Sequence, residues 1–103
     1  MITFTGGSLG VPSGATALMR LGPRAEDYPA QLAPEGSGRP ASGRAQGLAL
    51  QVGRGRVVVL GESAMLGAFT VRRGREFAFG MNRRDHGNRQ FAINVVRWLA
   101  GVL

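Results

Sequence analysis

Two adjacent polar residues, Glu62 and Ser63, have side chains suited to acid–base or nucleophilic chemistry. They follow the β-branched run of residues 57–60, which ends at Gly61. α/β sheets place their sites at the carboxyl ends of such strands. Glu62 is a candidate general base or ligand of a sugar hydroxyl, and Ser63 takes the serine position of a Gly-x-Ser-x-Gly elbow. We therefore take both as candidate catalytic residues.

The same motif also fits a structural role. Met65 stands where the sharp elbow needs glycine. Asp85 and His86 follow in the order of a serine triad, but they are adjacent, so the aspartate is badly placed to orient the histidine. The alternative is that Glu62 or Ser63 caps the first turn of a helix.

A second candidate site is basic. Arg83, Arg84 and Arg89 surround the predicted start of the last helix, where Asn88 is the expected N-cap. The free N–H groups at a helix N-terminus attract anions, so these four residues form a candidate phosphate or carboxylate site. A solvated basic loop is the alternative, because no glycine-rich cradle precedes the helix.

Composition narrows the function classes. The chain has 103 residues and a net charge of +7, and all 13 basic residues are arginine. With no cysteine, one histidine and six carboxylates, it offers no disulfide, no thiolate site and poor ligands for a metal. We expect no metal and no cofactor. The basic balance favours an anionic partner, although scattered arginines with few interleaved aromatics argue against nucleic acid.

Targeting signals are not evident in the sequence. No apolar run approaches the roughly 20 residues that cross a bilayer, and the start shows no basic-then-apolar pattern. We expect no membrane segment and a cytoplasmic location.

The first half of the chain predicts few regular elements. Alternation around Ile2 and Phe4 indicates a short strand that ends in a turn. Residues 22–47 are rich in proline and glycine and predict a flexible loop. Residues 48–52 and 56–60 flank a glycine-containing turn and predict a β-hairpin.

The second half predicts helices. Residues 63–71 favour a helix, with a strand as the alternative because residues 69–71 are aromatic or β-branched. Residues 89–103 have clear helical spacing. The apolar stripe of this helix comprises Phe91, Val95, Trp98, Leu99 and Val102. Because further apolar residues widen the stripe, we expect the helix to be buried on more than one side, as at a subunit interface.

Three stretches together resemble a known family. Residues 55–65, the tripeptide at 80–82 and residues 88–101 are similar to the C-terminal part of class I glutamine-amidotransferase-like domains of uncharacterised bacterial proteins, including trehalose-utilisation-like ones. The resemblance covers residues 54–103 and implies a flavodoxin-type α/β sandwich whose first half lies outside this chain. It does not extend to amidotransferase activity, because no cysteine nucleophile is present and no His-x-Glu pair follows the strand.

These observations predict one small α/β domain over residues 1–103. We expect a partial flavodoxin-like sandwich with a few strands, a β-hairpin, an interior strand at 57–60 and a C-terminal helix packed on the sheet. The expected function is a binding or interaction module without catalysis of its own, which associates with itself or another protein through the last helix. One alternative is a hydrolase acting on a small carbohydrate-like or ester substrate with Glu62 and Ser63. The other is an anion or nucleic-acid binder using Arg72, Arg73, Arg75, Arg83 and Arg84.

Overall fold

Seven strands, one 3-10 turn and one α-helix form the described part of the computed structural model, which is residues 3, 6–29 and 33–103. The expected mixed α/β class is therefore confirmed. Contacts divide these residues into two compact units, one spanning Gly7–Gly61 and the other including Glu62–Leu103. That they form a single domain stays a prediction. The elements are β1 (Thr16–Arg20), β2 (Glu26–Asp27), β3 (Arg39–Pro40), β4 (Ala45–Val52), β5 (Gly55–Leu60), the 3-10 turn Ala64–Leu66, β6 (Ala68–Arg73), β7 (Arg75–Gly80) and α1 (Asn88–Leu99).

The predicted β-hairpin is confirmed as β4 and β5. Val52 pairs with Gly55, so the two strands are joined by a two-residue turn, as expected for a short loop containing glycine. On the other side of β4 lies β1, and the sheet order is β1-β4-β5. All strand pairings among the described residues are antiparallel.

The prediction that residues 57–60 form an interior strand is wrong. These residues belong to β5, which lies at an edge of the three-stranded sheet. Its burial alternates, leaving Val57 37% and Val59 40% exposed. A continuous β-branched run predicts a strand, but it does not decide how many faces of that strand are covered. Ile2 and Phe4, which carry the predicted first strand, lie outside the described residues.

Gly61 ends β5 at a close approach between two backbones. Its N–H donates to the carbonyl of Gln46 at 2.8 Å, and its own carbonyl accepts from the N–H of Gly7 at 3.0 Å. A Cβ at position 61 would collide with the Gly7 carbonyl oxygen. Glycine is needed here because the segment before β1 passes directly over this position.

Residues 22–47, predicted as a flexible loop, contain some regular structure. Strands β2 and β3 form a short antiparallel ladder, and β4 already begins at Ala45. Ala41 and Ala45 are fully buried, so this segment contributes to the core of its unit. Its flexibility stays a prediction.

A polar cluster ties the segment before β1 to this part of the chain. The Ser8 hydroxyl donates to Asp27, and the Ser8 N–H donates to the same carboxylate at 3.1 Å. Arg44 Nε donates to Ser8 Oγ at 2.6 Å and lies 4.0 Å from Asp27 Oδ2. Because one carboxylate accepts both Ser8 donors, Asp27 is the residue that holds the cluster together.

Replacing this carboxylate is expected to destabilise the protein. Asp27→Ala removes the acceptor of both Ser8 donors and should lower the free energy of unfolding by about 1–2 kcal/mol, because the donors are part-buried. Urea denaturation measures the change. Glu35→Ala is the control, since Glu35 is exposed and the substitution alters the charge equally. Equal stability of the two variants would contradict the role assigned to Asp27.

The prediction of a helix over residues 63–71 is wrong. A 3-10 turn covers Ala64–Leu66, and β6 begins at Ala68. The alternative of a strand at 69–71 is confirmed, since the aromatic and β-branched residues there pair with β7. β7 ends at Gly80, where a Cβ would collide with the carbonyl oxygens of Gly67 and Ala64. Glycine at position 80 therefore lets the hairpin pack against the 3-10 turn.

The predicted C-terminal helix is confirmed as α1, although it ends at Leu99 rather than at residue 103. Gly101 and Val102 close it, donating to the carbonyls of Trp98 and Arg97 in the pattern of a Schellman motif. Within its unit the helix packs against the 3-10 turn Ala64–Leu66. No helix among the described residues has the length and apolar character needed to cross a bilayer.

Candidate functional site

Glu62 and Ser63 lie in different surroundings. Glu62 is only 5% exposed, and its Oε2 accepts the N–H of Met65 at 3.2 Å. Its Oε1 is buried without a hydrogen-bond partner among the described residues. Ser63 is exposed, and within the same residues no hydrogen bond joins it to His86. The carboxylate thus caps the 3-10 turn, the structural alternative that the sequence had left open.

Asn88 does not cap the last helix as predicted. Gly87 occupies the N-cap position, and Asn88 is the first helical residue. The Asn88 side chain is fully buried and donates from Nδ2 to the carbonyl of Met65 at 3.1 Å. The side chain turns inward because this buried carbonyl is its hydrogen-bond acceptor, so it is not available to an anion.

A surface groove lies beside the start of α1. Its volume is about 940 Å³, and it brings together the three arginines that the sequence singled out there, Arg83, Arg84 and Arg89. The lining is completed by Ala68, Met81, Asn82, His86, Gly87, Gln90 and Ile93. The groove therefore combines cationic side chains with a few apolar ones. No carboxylate lines it among the residues that the structure describes.

Arg83 has a fixed partner. Its Nε and Nη2 donate to the two carboxylate oxygens of Asp85 at 2.8 and 2.6 Å. The hydrogen bonds from this guanidinium hold the pKa of the Asp85 carboxyl well below its usual range. His86 Nε2 also lies 3.6 Å from Asp85 Oδ2. The pair joins two residues of the loop before α1 and partly neutralises Arg83.

Arg84 and Arg89 are the available charges of the groove. Both are exposed, and neither has an ion pair among the described residues. The backbone N–H groups of Arg89 and Gln90 lie in the first turn of α1, whose first helical bond is donated by Phe91. Such N–H groups carry partial positive charge and add to the attraction for an anion.

Sequence reasoning thus located part of this groove. The arginines lie within seven residues of one another, so proximity along the chain was sufficient to group them. The contributions of His86, Asn82 and Gln90 were not predicted, although these residues are equally close to the arginines along the chain. Ala68 was not predicted either, because it comes from β6 and nothing in the neighbouring sequence indicates that it lines the groove. Glu62 and Ser63 do not line the groove.

Comparison with protein-family models, with curated proteins and with solved structures finds no match. The resemblance to amidotransferase-like domains therefore stays a prediction.

The ion pair between Arg83 and Asp85 should make the stability of the protein depend on pH. The folded-state pKa of Asp85 lies below its ordinary value of 3.8. The stabilisation from the pair is therefore present above that value and is lost as the pH falls through the lowered pKa. Arg83→Gln should raise the pKa of Asp85 toward 3.8. Carboxyl ¹³C shifts followed against pH measure it, with Arg84→Gln as the matched control. An unchanged Asp85 pKa in Arg83→Gln would refute this assignment.

Proposed function

We propose that this protein is a binding module, without catalytic activity of its own, that takes a small anionic ligand into the groove beside α1. The observation that carries the proposal is the convergence of Arg83, Arg84, His86 and Arg89 on one groove, in whose described lining there is no carboxylate. A cytoplasmic location remains part of this proposal.

The ligand chemistry follows from the lining. Arginine presents a planar fork of donors that matches phosphate and carboxylate oxygens. Arg84 and Arg89 supply this fork from exposed positions, while the first turn of α1 adds backbone N–H groups. Met81 and Ile93 contribute apolar surface to the same groove. The ligand class that fits is therefore a phosphate- or carboxylate-bearing molecule with an apolar part.

The hydrolase alternative lacks comparable support. Glu62 is buried, and its Oε2 is engaged by the Met65 N–H. Ser63 is exposed and has no hydrogen-bonded base among the described residues. A nucleophilic serine needs such a base within hydrogen-bond reach, so no specific observation favours hydrolysis.

We further propose that a second copy of this chain associates through α1. Val96 is 65% and Leu99 43% exposed, and Leu103 beyond the helix is 63% exposed. Val96 and Leu99 are three residues apart within α1, so they lie along one side of the helix. Covering such a row removes apolar surface from water and favours association.

Anion binding is tested by removing the two available charges. The double variant Arg84→Ala and Arg89→Ala should weaken binding of inorganic pyrophosphate about tenfold or more, because each lost charge-assisted hydrogen bond contributes about 1.5–3 kcal/mol. Isothermal titration calorimetry at low salt measures it. The matched control is Arg24→Ala with Arg54→Ala, two exposed arginines of the other unit. Equal weakening by both pairs would show an effect of net charge alone, and absence of wild-type binding would refute the proposal.

Self-association is tested on the helix. Val96→Asp places a charge within the exposed row and should raise the dimer dissociation constant about tenfold or more, measured by sedimentation equilibrium. Val52→Asp is the control, since Val52 is 59% exposed and lies outside α1. A wild-type protein that is monomeric at high concentration would contradict this interface.

A further inference from the structure

One face of the β6–β7 hairpin carries all of its aromatic residues. Register pairs Phe69 with Phe79 and Val71 with Phe77, and side chains alternate along a strand, so these four share a face. Phe69 and Phe77 are each 45% exposed. A contiguous exposed apolar patch of this kind marks a binding surface.

The three rings form one continuous aromatic surface. Phe69 and Phe79 stack with centroids 4.8 Å apart and an interplanar angle of 16°. Phe77 meets Phe79 edge-on, with centroids 4.7 Å apart. Because the rings support one another, their exposed parts are held in place before any ligand arrives.

The same face is cationic toward the hairpin turn. Arg73 pairs with Arg75 in the register, which places both on the aromatic side. The carboxylate of the hairpin, Glu76, lies on the opposite face, where its Oε2 is 3.6 Å from Arg72 Nε. Among the residues of the hairpin, the aromatic face therefore carries two arginines and no carboxylate.

Arg83 connects this face to the groove. It lines the groove beside α1, and its Cζ lies 5.6 Å from the centroid of the Phe77 ring. Arg83 thus lies next to both the rings and the groove, within the same unit.

We infer that this surface binds single-stranded nucleic acid. Unpaired bases stack on the exposed rings of Phe69 and Phe77, and the phosphates contact the arginines of the hairpin and of the groove. Every base has a π-face, so such a surface binds with little sequence preference. The inference rests on the proposed function, because the groove is where a phosphate of the strand is held.

Duplex nucleic acid and an anionic membrane also carry phosphates, but they fit this surface less well than a single strand does. In a duplex the bases are already stacked on one another and are not available to the rings. In an anionic membrane the rings would need to enter the lipid, but Arg73 and Arg75 lie beyond them at the end of the hairpin. Both partners become arms of the test.

The experiment compares the affinity for a strand that carries bases with the affinity for a strand that has only the sugar–phosphate backbone. The probes are a fluorescein-labelled 12-nucleotide oligothymidylate and an abasic strand of equal length, followed by fluorescence anisotropy at 50 mM salt. Wild type should bind the oligothymidylate more tightly than the abasic strand. Phe69→Leu with Phe77→Leu keeps both side chains apolar and removes the π-faces, so it should weaken oligothymidylate binding roughly fivefold or more per ring. Its binding of the abasic strand should not change.

Matched controls separate stacking from other effects. Tyr28→Leu removes an aromatic ring that is 54% exposed in the other unit and should leave binding unchanged. Circular dichroism checks that the double leucine variant is folded. If it is not, the comparison of oligothymidylate with the abasic strand on wild type still decides.

Several outcomes would overturn the inference. These are equal wild-type affinity for the two strands, undiminished binding by the folded leucine variant, and preference for a 12-base-pair duplex. Another is phenylalanine-dependent binding to vesicles of phosphatidylcholine with 30% phosphatidylserine, without oligothymidylate binding. If pyrophosphate binds but the oligothymidylate gains nothing from its bases, the proposed anion site stands and only this inference fails. If neither binds, both fail.

Discussion

The peptide groups of Met65 hold the start of α1 against the 3-10 turn. The Met65 N–H donates to Glu62 Oε2, and the Met65 carbonyl accepts from Asn88 Nδ2. Met65 and Asn88 are almost completely shielded from water. Removing one partner of a buried hydrogen bond leaves the other unsatisfied and costs about 1–3 kcal/mol. Because Asn88 is the first residue of α1, its bond to the Met65 carbonyl joins the start of that helix to the 3-10 turn, next to Arg89.

This arrangement explains why a motif that looks catalytic is structural. Glu62 follows a β-branched strand and precedes a serine, as a site residue in an α/β sheet would. The chain bends at Gly61, however, and the carboxylate turns into the protein to cap a 3-10 turn. A carboxylate can accept a backbone N–H at the start of a turn, and a carboxylate can equally act as a general base. Residue type and spacing alone do not distinguish these roles.

The groove beside α1 depends on the packing of β7 and α1 against the same 3-10 turn. β7 reaches the 3-10 turn at Gly80, the following loop carries Arg83 and Arg84, and α1 begins at Asn88. The hairpin and the helix thereby border one groove, and Arg83 both lines this groove and lies beside the ring of Phe77. The register of β6 and β7 places the three phenylalanines of the hairpin on one face, together with Arg73 and Arg75.

The amino-acid sequence by itself determined the local features of this protein. It predicted the β4–β5 hairpin from two apolar runs around a glycine turn, the helix α1 from its spacing, and the arginine group before that helix from proximity along the chain. Tertiary structure alone decided that β5 lies at a sheet edge, that Glu62 and Asn88 turn inward onto Met65, and that Ala68 joins the groove. The reason is physical. Backbone propensity and charge spacing act over a few neighbouring residues, whereas the burial of a side chain depends on which distant segment packs against it.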